Sequence, residues 1–397
     1  MWISKLILAN FRNYPQLELD LTEGSVLFCG ENGQGKSNLL EAIHILASGK
    51  SLRADSDREL VGFGVLESSM PYVRVQAVVE KAEGSVNVDL VIQPSHRADS
   101  GGSLGDGITP LSFQKRIAVN GLPRKIFEYL GQVQVVLFSP EDIGQVSGSP
   151  AVRRHYLDAT LCQLDNRYLR SLQRYNRVLP QRNHLLRRLQ EGRASKDELG
   201  FWNSELVNWG SYLLSARMDL VATLNRLAPP FQDAMTQGSE VLRLLLIQSL
   251  GNLVDATPEK IEELFGEALM DAQAREIERG MSLIGPHRDD LQFLINDVDA
   301  GMFSSRGQHR TIIISLRLAQ AQLIRSRIGE DPILLLDDIF SELDGPRKEY
   351  VLSCIQSYQQ VFLSATDLNT ITSSGVEPSA IFQVSHGTLS QPEGSLL

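Results

Sequence analysis

The sequence predicts an α/β fold whose phosphate-binding head is split in two by a mainly helical insertion. Three observations predict it. An apolar run, Val26 to Cys29, leads into Gly30-Glu31-Asn32-Gly33-Gln34-Gly35-Lys36-Ser37, and Asn38 to Ala47 then repeats leucine and isoleucine at helical spacing. A second apolar run, Ile333 to Leu336, ends in Asp337 and Asp338, 301 positions after Lys36. Between roughly 150 and 280 the apolar residues recur with a helical period.

Strand signals dominate residues 1 to 93 outside the helix after the loop. Ile3 to Leu8 and Gln16 to Leu21 alternate, and the β-branched runs Val73 to Val79 and Val86 to Ile92 flank a hairpin at Lys81 to Gly84. Pro94 to Pro110 is glycine-rich and poor in apolar residues, which predicts a flexible loop. Strands follow at Arg116 to Val119 and Val133 to Phe138, with Asn120-Gly121 as a turn signal. Leu161, Leu164, Tyr168, Leu172, Tyr175 and Leu179 share one face of a helix that Pro180 is expected to end. Leu206 to Leu224 outlines a second helix, and a third starts at Thr257 and Pro258 and stops near Gly280. Strand character returns at Asp290 to Ile295 and Ile333 to Leu336. The expected division is a first head half at 1–149, a helical arm at 150–280 and a second head half at 281–397.

Strand, glycine loop and helix together form the setting of a phosphate-binding loop. Glycines let the backbone N–H groups turn inward, and the helix N-terminus adds positive potential. Lys36 is then placed for the β- and γ-phosphates and the Ser37 hydroxyl for Mg²⁺. An acid at the C-terminal end of a buried parallel strand lies where α/β folds bind ligands. Asp337 is therefore the expected Mg²⁺-side carboxylate, and Asp338 the group that polarises the attacking water.

The 397 residues carry a formal charge of −10, which argues against a surface given over to nucleic acid. A local basic segment exists all the same. Residues 151 to 193 hold ten arginines, no lysine and three acids. Arg167, Arg170, Arg174 and Arg177 fall at three- and four-residue spacing, opposite the leucine face. Such like charges repel on a helix, so polyanion contact explains them better than helix stability does. Cys29, Cys162 and Cys354 match no metal or disulfide spacing, and the N-terminus fails as a signal peptide. With no apolar stretch of membrane-spanning length, a soluble cytoplasmic protein is expected.

Ser304-Ser305-Arg306-Gly307-Gln308, ahead of a helix from His309 to Arg327, resembles the signature motif of ABC-type ATPases. Ser341-Glu342-Leu343-Asp344 resembles the loop that crosses their dimer interface. Phe11-Arg12-Asn13-Tyr14, Phe138 to Asp142, Gly148-Ser149-Pro150 with Arg153-Arg154, and Gly285-Pro286-His287-Arg288-Asp289-Asp290 complete a pattern similar to the RecF family, recombination mediators related to SMC heads. The resemblance implies an ABC-type P-loop ATPase head and an ATP-dependent homodimer in which Ser305, Arg306, Gly307 and Gln308 cap the partner's γ-phosphate, with Asp344 in the dimer loop. It implies binding to single- and double-stranded DNA at gaps and junctions, work with RecO and RecR to load RecA, and weak, DNA-stimulated ATP hydrolysis.

Two departures from the wider ABC pattern stand out. Asp338 replaces the usual glutamate and is one methylene shorter, which predicts a weaker base and slow turnover. Thr366-Asp367 stands where a switch histidine is usual. A transporter's nucleotide-binding subunit leaves the arginine stripe unexplained, and an SMC-like tether needs a heptad repeat that this chain lacks. A scaffold with a dead site is hard to reconcile with Lys36, Ser37, Asp337 and Asp338 all being present.

Overall fold

A computed structural model describes residues 1–65, 71–95, 113–251, 253, 256–368 and 377–391. In chain order the elements are β1 (Trp2–Phe11), β2 (Tyr14–Asp20), β3 (Gly24–Cys29), α1 (Lys36–Ser48), β4 (Val73–Lys81), β5 (Gly84–Pro94), β6 (Phe113–Val119), β7 (Leu122–Pro123), α2 (Ile126–Tyr129) and β8 (Val135–Phe138). Then come α3 (Gly144–Ser147), α4 (Pro150–Leu164), α5 (Asn166–Gln190), α6 (Leu199–Thr236), β9 (Leu242–Ile247), α7 (Pro258–Arg279), β10 (Asp290–Ile295), β11 (Val298–Asp299), α8 (Ala300–Phe303) and α9 (Arg306–Ile328). The chain closes with β12 (Ile333–Asp337), α10 (Gly345–Ile355), β13 (Gln360–Ala365), β14 (Ala380–Ser385) and β15 (Thr388–Ser390).

Two compact units result, Met1–Pro140 with Ile324–Leu397, and Glu141–Leu323. The second unit takes in 281–323, a stretch the sequence reading grouped with the head. In the first unit an antiparallel sheet runs β2-β1-β4-β5-β6-β7, and a second sheet runs β15-β14-β3-β13-β12-β8. A register shift between Ile3 and Lys5 changes the phase of β1, so Ile3, Leu6 and Leu8 are all buried. At Asn120 and Gly121 φ is 52° and 76°, and this left-handed pair turns β6 into β7. The loop expected at 94–110 lies outside the described residues from position 96 onward.

In the second sheet β8, β12, β13, β3 and β14 are parallel. All five residues of β12 are buried, as a strand covered on both faces requires. This sheet brings the ends of β3 and β12 to neighbouring positions with only β13 between them.

The second unit packs α4 to α7 with the three-stranded sheet β11-β10-β9. Tyr175, Leu213, Phe265, Leu291 and Leu316 are among its fully buried core residues. Thr257 and Gly280 bound α7 as expected, Thr257 by capping the Lys260 N–H and Gly280 by a φ of 62°. Two expectations fail here. The helix predicted from Leu161 to Leu179 is two helices, because Asp165 adopts a φ of −145° and caps α5 by accepting from the Arg167 N–H at 2.7 Å. Pro180 does not end α5, which continues ten residues to Gln190. Proline's missing N–H frees only the Asn176 carbonyl, both residues are solvent-exposed, and buried Tyr175, Val178, Leu185 and Leu186 hold the helix on either side. Among the described residues, no helix is long and apolar enough to cross a membrane.

Candidate nucleotide-binding site

The glycine loop joins β3 to α1 and wraps the N-terminus of that helix. Gly35 has a φ of 118°, and a Cβ there would lie 2.5 Å from the Asn13 amide nitrogen. The segment Phe11 to Tyr14 explains this closeness. Asn13 Nδ2 donates to the Gln34 carbonyl at 2.9 Å and the Tyr14 hydroxyl to the Gly35 carbonyl at 3.0 Å. The β1–β2 turn thus fixes two carbonyls of the loop from outside and leaves its N–H groups for a ligand.

Lys36 is curled on its own loop, with Nζ donating to the carbonyls of Gly30 at 2.6 Å and Glu31 at 2.8 Å. Burial lowers its pKa, against the pull of Asp338 and Asp337. The Ser37 hydroxyl donates to Asp337 Oδ1 at 2.8 Å, and the Ser364 hydroxyl donates to the same oxygen at 2.7 Å. Arg53 Nη2 lies 3.1 Å from Asp337 Oδ2. Asp338, next in the chain, sits at φ 49° and donates its N–H to Ser364 Oγ at 2.9 Å. Burial raises the pKa of its carboxyl, with Lys36 opposing. Asn32, Lys36, Ser37, Arg53, Asp337 and Asp338 line one cleft of about 220 Å³. A hydroxyl and a carboxylate within 3 Å of one another are hard oxygen donors, a set that fits Mg²⁺.

The two candidates the sequence reading missed are Arg53 and Ser364. Ser364 reaches Asp337 because β12 and β13 pair in parallel with these two residues in register. Arg53 lies in a segment without periodicity and had no local signal.

Other predicted residues lie at separate places. Ser305 and Gln308 form a capping box at the start of α9, Ser305 N donating to Gln308 Oε1 at 2.8 Å and Gln308 N to Ser305 Oγ at 3.3 Å. Ser305 and Arg306 are exposed there, in the second unit. Asp344 caps α10 by accepting from the Arg347 N–H at 3.0 Å. Gln134, near the start of β8, is buried and donates to the Gly131 carbonyl. Arg167, Arg170, Arg174 and Arg177 are all exposed along α5, with Arg167 stacked 4.0 Å over the Tyr212 ring. Other arginines of that segment are structural: Arg182 is wholly buried against Glu276 at 2.6 Å, and Arg153 pairs with Asp290. His287 is also structural, bonded through Nδ1 to the Tyr175 hydroxyl at 2.6 Å.

The chain matches the RecF/RecN/SMC N terminal domain family over residues 2–390. It is 41% identical to the DNA replication and repair protein RecF of Herpetosiphon aurantiacus, covering 98% of this chain and 99% of that one. Identity to RecF of Bacillus thuringiensis is 36%, with 98% of each covered. A solved structure described as the recombination mediator protein RecF-ATP in the RecFOR pathway superposes with a TM-score of 0.85 at 31% identity, covering 98% of this chain and 97% of that one. The Smc head domain of Pyrococcus furiosus shares the fold, with a TM-score of 0.53 at 16% identity over 98% and 95% of the two chains. With near-complete coverage at such identity, and with the phosphate loop and acidic strand meeting in one cleft, the chain belongs to the RecF family.

Proposed function

We propose that this protein is an ATP-gated DNA-binding dimer of recombinational repair and replication restart. It acts in the cytoplasm at single-strand gaps and junctions, and with RecO and RecR it assists RecA loading. One observation carries the nucleotide part of the reading: Ser37 and Asp337, 300 residues apart, share a 2.8 Å hydrogen bond beside Lys36. No structural need of a generic α/β head calls for that trio.

In this reading an incoming triphosphate takes the Lys36 ammonium from the Gly30 and Glu31 carbonyls, and the loop N–H groups receive the phosphates. Ser37 and Asp337 hold Mg²⁺, which when bound offsets phosphate charge. Asp338 takes up the proton of the attacking water, and its burial favours the proton-accepting role by raising its basicity. Its short side chain sets the carboxylate back from the phosphate, which suits slow hydrolysis that resets a switch. Ser305 to Gln308 close over the nucleotide of a second copy, and the exposed arginines of α5 contact DNA phosphates.

Binding of duplex, single-stranded and gapped DNA with ATP, with ADP and without nucleotide tests the reading. Affinity should be highest with ATP. DNA affinity indifferent to nucleotide would remove the switch.

A further inference from the structure

We propose that Glu41 and Ser51 are positioning residues that hold the Arg53 guanidinium against Asp337 in the cleft. The proposal rests on the nucleotide reading and deepens it. Glu41 lies four residues after Ser37 on α1, hence on the same face of the helix that opens with Lys36. A carboxylate there is out of place in a core position, since its side chain is only 4% exposed. Arg12 pairs with it in a two-pronged contact, its Nε and Nη2 donating to the two oxygens at 2.9 and 2.8 Å. The Ser51 hydroxyl also donates to Glu41 Oε1.

Ser51 passes this constraint on. Its Oγ accepts from the N–H groups of Arg53 at 2.9 Å and Ala54 at 2.8 Å, which folds 51–54 into a tight turn. Arg53 projects from that turn to Asp337. A later point of the same connection is tied by the same residue, because Arg12 Nη1 donates to the Glu59 carbonyl at 2.9 Å and the Arg12 backbone N–H to the Leu60 carbonyl. One buried carboxylate on the phosphate-loop helix therefore holds the segment that carries Arg53 at two points, directly at Ser51 and through the Arg12 guanidinium at Glu59. Such a relay sets the distance of a cation from the nucleotide without touching it.

Removing the Glu41 charge leaves Arg12 unpaired, so Ser51 is the cleaner test. Mg²⁺–ATP affinity is measured by calorimetry for wild type, Ser51→Ala, Ser51→Thr, Arg53→Ala and Ser51→Ala/Arg53→Ala. Ser51→Ala should weaken binding roughly tenfold, the scale of one or two hydrogen bonds. Ser51→Thr, which keeps the hydroxyl, should restore it. In the Arg53→Ala background Ser51→Ala should have no further effect, because Ser51 acts through Arg53. Full additivity of the two losses, or no loss in Ser51→Ala, overturns the relay while leaving the nucleotide site standing. Wild-type protein that binds no ATP overturns the underlying reading as well.

Discussion

Asp337 shows how much of the site rests on single atoms. One of its oxygens accepts from two serines and the other faces Arg53, so its partners come from α1, β13 and the loop after α1. Lys36, by contrast, donates to two carbonyls that an incoming triphosphate would replace. Lys36→Ala should remove high-affinity ATP binding, a loss of at least ~1.5–3 kcal/mol for a charge-assisted contact; tight binding in calorimetry would contradict the assignment. Asp338→Asn is a different experiment. Asparagine tolerates the left-handed φ of 49°, so the backbone turn survives while the base is lost. ATP binding should persist and hydrolysis should fall by about 10²–10⁴-fold in a single-turnover assay. Normal turnover would mean that another residue orients the water. His287 gives a pH expectation of its own. Burial depresses its pKa from 6.5 to about 4, so below pH 6.5 the unfolded chain binds a proton that the folded chain does not. Its stabilising contribution is full above pH 6.5 and is lost as pH falls toward about 4, so the urea midpoint should drop across that window, less steeply in His287→Gln. Equal slopes in the two proteins would place the acid sensitivity elsewhere.

Among the elements, α5 is where sequence pattern and structure part most clearly. The leucine face was legible because burial imposes a helical period, but the break at Asp165 and the passage through Pro180 were not. Both depend on packing: Tyr212 donates to Asp165 Oδ2, and buried residues flank the proline on either side. β9 was missed for a related reason. Leu242 to Ile247 is leucine-rich inside a helical stretch, and its identity as a strand comes from pairing with β10, whose partner residues lie 43 to 53 positions later. Its outer edge is closed by the Asn225 side-chain amide, which accepts from the Leu244 N–H and donates to the Leu244 carbonyl, both at 2.6 Å. A side chain from α6 doing the work of a neighbouring strand has no sequence signature. The phosphate loop and the acidic strand were legible because their chemistry is local and spelled out in consecutive residues. For the arginine stripe, the exposed face continues past Pro180 through Gln181, His184 and Arg188. Replacing Arg167, Arg170, Arg174 and Arg177 with Gln should weaken DNA binding and lower the log–log salt slope by ~0.9 for each duplex phosphate contact removed. An unchanged slope would place the DNA on another surface.

At the scale of the whole molecule, the prediction is a composite site shared by two copies of the chain. Lys36 and Asp337 of one copy and Ser305 of the other would build each site. The structure adds a constraint on how to test it, because Ser305 also caps α9 with Gln308. A bulky replacement would cost about 1 kcal/mol of helix stability along with any phosphate contact. Ser305→Asp avoids that confusion: aspartate caps as well as serine does, yet it brings a negative charge to face the γ-phosphate. Lys36→Ala and Ser305→Asp homodimers should both be inactive, since each spoils both of its sites. In a mixed dimer one site collects both defects and the other is intact. Mixing the two inactive variants should therefore restore ATPase activity, up to one working site per mixed dimer. Silence in a verified mixed dimer would mean either that the sites fire only together or that Ser305 serves its own chain. Engineered cysteines at Ser305 and at Asn32 decide between these. A disulfide that forms between copies only with ATP places the signature in trans, whereas one that closes within a copy ends the composite-site reading.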